Sequence, residues 1–94
     1  MYIGQFKDNR RNGKGGIYWI SGKRFEGNFS NGKMSGEGEM IFLNGTIYEG
    51  TFSNDMANGK GKGVFSNGDT YDGEWEDGYL MGQGVYIFKE KIGL

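Results

Sequence analysis

The sequence predicts an all-β protein, an elongated single-layer array of antiparallel β-hairpins, on three observations. The chain repeats with a period of 23 residues, its aromatic residues alternate with polar ones, and Asn-Gly pairs punctuate the repeat. A step of 23 superposes Tyr2, Phe25, Tyr48 and Tyr71, then Gly4, Gly27, Gly50 and Gly73, then Phe6, Phe29, Phe52 and Trp75. Later in each unit it superposes Gly13, Gly36, Gly59 and Gly82, then Gly15, Gly38, Gly61 and Gly84, then Trp19, Phe42, Phe65 and Phe88. Gly22, Gly45 and Gly68 close the first three units. Fifteen of the 20 glycines and 12 of the 15 aromatics stand in these columns, so the repeat accounts for the composition. Four units, 2–24, 25–47, 48–70 and 71–93, make residues 1–94 a single domain.

The first half of each unit reads as a strand with one buried face. In Tyr48-Glu49-Gly50-Thr51-Phe52-Ser53 the aromatics and the glycine alternate with polar residues, which is the period of a strand and not of a helix. The second half, as in Gly59-Lys60-Gly61-Lys62-Gly63-Val64-Phe65, is too rich in glycine for a helix and suits a strand packed closely on a neighbour. Asn31-Gly32-Lys33-Met34-Ser35 and its equivalents separate the two strands. Asn44-Gly45 and Asn67-Gly68 separate successive units, and Asn-Gly favours the left-handed backbone of a type I′ hairpin turn. Asn9 and Asp55 replace the glycine of Gly32 and Gly78, a backbone that Asn and Asp tolerate. In the last unit Lys91 replaces the closing glycine, so 89–94 is expected to fray, to cap the array or to mark a cut in a longer protein.

Tyr2, Phe6, Phe25, Phe29, Tyr48, Phe52, Tyr71 and Trp75 are the expected repeat core. A strand glycine such as Gly4 or Gly27 gives a bare backbone floor on which a ring from the neighbouring strand lies flat. The face of the third aromatic column depends on the turn. A strict two-residue turn at Asn44-Gly45 pairs Ile41 with Tyr48, which puts Ile41, Val64 and Ile87 in the core and Trp19, Phe42, Phe65 and Phe88 on the opposite face; a bulge reverses this. On the opposite face that row would be a candidate partner-binding surface.

Composition excludes much chemistry. With no Cys and no His the chain lacks the usual ligands of zinc and haem and the usual partners of a Ser or Cys nucleophile, and no cofactor or metal is expected. The Gly-x-Gly pairs lack the Gly-Lys-Ser/Thr ending and the following helix of a phosphate loop. Glu74, Glu76 and Asp77 have no expected pocket, so no catalytic residue and no small-molecule substrate is assigned. Aromatics and bases interleave as on single-stranded nucleic-acid platforms, but the repeat explains the aromatics and the net charge is −1. Nucleic acid is therefore not an expected partner. No apolar run approaches the length of a membrane span and the N-terminus is not a secretion signal, which points to a soluble intracellular protein.

Aromatic-x-Gly-x-aromatic, then Gly-x-Gly, then an aromatic and a closing Gly within 23 residues resembles the MORN repeat (membrane occupation and recognition nexus). Tyr48-Glu49-Gly50-Thr51-Phe52, Gly59-Lys60-Gly61 and Asn67-Gly68 look like a near-consensus unit, and the resemblance covers nearly the whole chain. It implies an array of antiparallel hairpins that serves as a scaffold or dimerisation rod in cytoskeletal, ciliary and membrane-junction proteins, without catalysis of its own. In some relatives such repeats are appended to an enzyme, such as a lipid kinase. The resemblance also implies a cytoplasmic setting, on the cytoskeleton or axoneme or peripheral to a membrane.

Charge is uneven along the array. Residues 1–24 carry a net +5 from Lys7, Arg10, Arg11, Lys14, Lys23 and Arg24 against Asp8, and the three later units carry −2, −1 and −3. The basic end is a candidate site for an anionic partner, either anionic lipid or an acidic protein tail, and head-to-tail stacking of chains is the other specific reading. The bland reading is that the hairpin loops are solvated charged surface. The expected function is a structural or protein-interaction scaffold acting by self-association or by assembling a cytoskeletal or ciliary complex. The alternatives are an anionic-phospholipid adaptor at a membrane and a regulatory segment of a larger enzyme.

Overall fold

The computed structural model describes residues 1–89, and Lys91 with its replaced glycine lies outside them. Eight strands run in chain order through one antiparallel sheet: β1 (Tyr2–Lys7), β2 (Arg10–Tyr18), β3 (Arg24–Ser30), β4 (Lys33–Ile41), β5 (Ile47–Ser53), β6 (Met56–Val64), β7 (Thr70–Glu76) and β8 (Tyr79–Ile87). No helix occurs among the described residues. The sheet is long and thin, 57 × 29 × 15 Å, with β1 and β8 as its edges. The all-β hairpin array is therefore as the repeat predicts.

Two kinds of turn alternate along it. Within each unit the turn has two residues, both left-handed: Asn31 (φ 51°) and Gly32 (φ 84°), and likewise Asn54 (φ 52°) and Asp55 (φ 68°). These are type I′ turns, and Asn9 and Asp55 take the glycine's backbone as expected. The turn is tighter than the five residues allotted to it, because Lys33 to Ser35 already belong to β4. Between units the turn is longer than a two-residue hairpin. The Gly45 N–H donates to the Phe42 carbonyl at 3.0 Å, the Phe42 N–H donates to the Thr46 carbonyl at 2.8 Å, and only the glycine of Asn44-Gly45 is left-handed. This three-residue loop with a glycine bulge sets Met40 opposite Tyr48 and Ile41 opposite Ile47.

That one-residue difference decides the faces. Met40 and Phe42 lie on the side of Tyr48 and Phe52, while Ile41, Val64 and Ile87 lie on the other face. The strict two-residue register, with its core role for Ile41, Val64 and Ile87, does not hold. Phe25, Phe29, Tyr48, Phe52, Tyr71 and Trp75 are buried as expected, and Met34 and Met40 join them. Tyr2 is only partly buried, and Phe6 is not core: it is 64% exposed, because edge strand β1 has no neighbour to cover it.

Each hairpin also carries a bulge on its second strand. Between Gly27↔Gly38 and Phe29↔Met34, β3 places one residue where β4 places three, and Gly36 within the bulge is left-handed (φ 82°). Gly13, Gly59 and Gly82 repeat it, so this glycine column exists for a backbone conformation that other residues resist.

The other two strand-glycine columns serve the rings. A Cβ on Gly27 would lie 2.5 Å from the Gly38 Cα, and one on Gly38 would lie 2.5 Å from both Cε1 and Cζ of Phe25. The floor is thus a pair of glycines on adjacent strands, and the ring above it comes from the strand of the first. The rings interlock edge to face in one zigzag: Phe6, Tyr2, Phe29, Phe25, Phe52, Tyr48, Trp75 and Tyr71 follow one another at 4.8–5.5 Å between centroids. Contacts within a unit alternate with contacts between units, so the zigzag ties every hairpin to the next. Truncating Phe52 to Ala removes one contact of each kind, and chemical denaturation should show a loss of about 3–5 kcal/mol. Gly61→Ala drives a methyl into the Tyr48 ring and should cost about 1–3 kcal/mol or more, whereas Ser66→Ala in an exposed loop should change stability by less than about 0.5 kcal/mol.

Candidate functional site

The bulged loop brings the third aromatic column onto the same face as the core. Trp19, Phe42, Phe65 and Phe88 stand along the edge formed by the inter-unit loops, where Trp19 and Phe65 pack against the core and Phe42 and Phe88 are exposed. They do not form a separate row on the opposite face. On the other side of the ring zigzag the intra-unit turns bring up Arg11, Met34, Ala57 and Leu80, which share one position of the repeat.

Two small residues open a groove between these margins. Unit three has Ala57 where unit two has Met34, and Gly63 where unit two has Met40. Trp75 fills part of the room: a Cβ on Gly63 would lie 3.0 Å from its Cζ2, and its Nε1–H donates to the Gly61 carbonyl at 2.9 Å. What remains is an open, mainly apolar groove of about 430 Å³ lined by Phe42, Tyr48, Ala57, Phe65, Trp75 and Leu80, with Lys23 and Asp55 also on its wall. Lys23 sits with its ammonium 4.6 Å from the Trp19 ring centroid and 5.6 Å from that of Phe42, a cation held against two aromatic faces. Asp55 is held too, its Oδ1 accepting the Met34 N–H at 2.8 Å. At the far end Phe65 stacks on Tyr86, whose hydroxyl donates to the Asp69 carboxylate at 3.0 Å.

The six basic residues of the first unit do not converge. Lys7 and Arg10 flank the first intra-unit turn on one long edge, while Lys23 and Arg24 lie at the inter-unit loop on the other, across a sheet 29 Å wide. Arg11 is committed to structure: its guanidinium lies 5.6 Å from the Phe29 ring and donates to the Gly32 carbonyl at 2.5 Å. Lys14 lies on the outer face, in the strand row of Gln5 and Asn28. That face bears Glu26, Glu39 and Glu49 opposite one another on successive strands. Lys23 and Arg24 follow the first inter-unit loop, whose Ile20 is exposed, as is Leu43 at the same position of the next loop.

Sequence reasoning missed Met34, Ala57, Leu80, Met40 and Gly63 as groove-shaping residues. Their signal was two further columns of the same period, Arg11/Met34/Ala57/Leu80 and Ile17/Met40/Gly63/Tyr86, whose face could not be assigned without the bulges.

Burial in the groove floor raises the Tyr48 hydroxyl above its ordinary pKa, and the hydroxyl donates a hydrogen bond to the Thr51 carbonyl at 2.9 Å. The folded state therefore favours neutral Tyr48, and its contribution is complete below the unfolded value of 10.0 and lost as pH rises through the higher folded one. Melting temperature should fall above pH 10 or so, and less steeply in Tyr48→Phe, which at neutral pH should lose about 1 kcal/mol with its hydrogen bond.

The family described as the MORN repeat matches four times in succession, over residues 2–24, 25–47, 48–70 and 71–90. No curated protein matches the chain as a relative.

Proposed function

The chain belongs to the MORN-repeat family, and from that premise we propose that it is a non-catalytic interaction scaffold whose aromatic face holds an extended apolar segment of a partner protein. The observation that carries this reading is the groove. It is open, apolar, walled by rings and floored by a sheet whose backbone is already paired, so a bound segment gains contact area without ordering the scaffold. Phe42, Phe65 and Trp75 are the anchors, and Lys23 and Asp55 fix the direction of a segment with charges at its two sides. Assembly of a cytoskeletal or ciliary complex inside the cell is the setting that family membership suggests.

One observation favours a second reading. Ile20 and Leu43 are exposed apolar residues at the same position of successive inter-unit loops, and Lys23 and Arg24 follow Ile20 closely in the chain, a combination that an anionic membrane surface attracts.

Display of random peptides against the purified chain separates the two. Extended sequences with apolar residues at alternate positions should be enriched, and Ala57→Leu, which fills the groove from a partly exposed position, should weaken them at least about ten-fold without lowering stability. Binding that Ala57→Leu leaves unchanged would contradict the groove reading. Co-sedimentation with anionic vesicles that is lost in Ile20→Ser/Leu43→Ser would favour the membrane.

A further inference from the structure

The two edge strands fit each other as the interior strands do. Inside the chain, units join β2 to β3, β4 to β5 and β6 to β7 with one register, which opposes Gly15 to Gly27, Gly38 to Gly50 and Gly61 to Gly73. One more step of 23 residues runs off the end of β8 onto the start of β1. We propose that β8 of one copy pairs with β1 of the next in this same register, so that copies of the chain join head to tail.

The outer face gives the strongest reason. Its central row reads Ile3, Gly16, Glu26, Glu39, Glu49, Lys62, Asp72 and Val85 across the eight strands. Polar or charged residues occupy the interior of the row from Glu26 to Asp72, and apolar ones stand at its two ends. Ile3 is 59% and Val85 62% exposed. The continued register sets Gly84 against Gly4 of the next copy, and so places Val85 beside its Ile3 and Ile87 beside its Met1. Four exposed apolar side chains are covered in pairs: Val85 with Ile3 where the interior junctions use Glu39 with Glu49 or Lys62 with Asp72, and Ile87 with Met1 where they use Ile41 with Ile47 or Val64 with Thr70.

The ring zigzag and the charges agree with this junction. Phe6 touches Tyr2 and lacks the ring of a preceding unit that Phe29, Phe52 and Trp75 each meet, at 5.1, 4.9 and 4.8 Å. At the junction Phe6 of the next copy comes to Tyr71, the last ring of the zigzag. In every interior junction an intra-unit turn also donates an N–H to the preceding unit: Gly32 to the Arg11 carbonyl, Asp55 to that of Met34 and Gly78 to that of Ala57. Leu80 is the next carbonyl in that series, and Asn9 of the following copy is its donor. One interior contact is not reproduced, because Met81 stands where Asn12 and Asn58 accept the N–H of Asn31 and Asp77. The basic first unit, net +5, meets the unit that carries Asp72, Glu74, Glu76 and Asp77. Pairing of β8 with β8 of a second copy would instead bring two acidic units together, each with Asp72, Glu74 and Glu76 on the strand next to the edge. A head-to-tail contact of this kind is heterologous and does not close, so it yields linear polymers. It lies beyond the groove's role and does not depend on it.

The chain has no cysteine, which allows a direct test. Ile3→Cys and Val85→Cys variants are made separately, differing in mass by a tag, and oxidised alone and mixed. Residues 3 and 85 lie at opposite ends of a 57 Å sheet, so any disulfide joins two chains. The mixed disulfide should dominate the mixture, neither variant alone should dimerise appreciably, and sedimentation of the parent chain should show weight rising with concentration. Val85→Lys and Ile3→Lys, both at exposed positions, should each abolish that rise. A dominant Val85 homodimer would replace the proposal with tail-to-tail pairing. A parent chain that sediments as a monomer at every concentration, or an assembly indifferent to both lysine variants, would overturn it. Peptide binding by the groove is measured on monomer, so its failure and the failure of assembly are read separately.

Discussion

An aromatic ring lying on two bare backbones is the constraint on which the rest of this sheet depends. The Phe25 ring rests where a side chain on Gly27 or Gly38 would have to be, and Tyr2, Tyr48 and Tyr71 do the same over their own glycine pairs. A single sheet has no second layer to enclose its apolar face. Laying rings flat along the face supplies a substitute, at the cost of strands in which glycine is obligatory. Three of the four rings are tyrosines, and their hydroxyls donate to the carbonyls of Gln5, Thr51 and Glu74, the residues that face each bulge. Ring, glycine pair and bulge are therefore one device repeated four times.

The consequence is a structure whose stability passes from neighbour to neighbour. Each ring of the zigzag except the terminal Phe6 and Tyr71 meets one partner within its unit and one across a junction, so an interior unit is held from both sides and an end unit from one. The exposure of Phe6 and of the apolar residues of β8 follows from this. So does the freedom to vary the groove. Where Met40 gives way to Gly63, Phe52 gives way to Trp75, and the array keeps its packing while its surface changes shape.

Much of this was legible in the sequence because the period is exact in residue number. The hairpin array, the four units and six of the eight core rings follow from columns and alternation alone. Phe6 was misplaced because a column treats an edge strand as if it had a neighbour. The aromatic row was harder, since its face turns on whether Asn44-Gly45 is the whole loop or the end of a three-residue one, and both sequences look alike. Gly45 alone is left-handed there, whereas Asn31 and Gly32 both are. The basic cluster of the first unit was contiguous in sequence, yet antiparallel strands carry contiguous residues to opposite edges and alternate faces. Lys7 and Lys23 are consequently far apart, and Arg11 is stacked on rings.

Native-state hydrogen exchange along the strands tests most directly whether the rings over glycine carry the stability. Amide opening free energies should be highest in β3 to β7 and fall toward β1 and β8, and Phe25→Ala should lower protection in β2 to β5 while leaving β8 nearly unchanged. Uniform protection across all eight strands, or equal losses everywhere in Phe25→Ala, would mean that the array unfolds as one body and that neighbour-to-neighbour ring contacts do not set its stability.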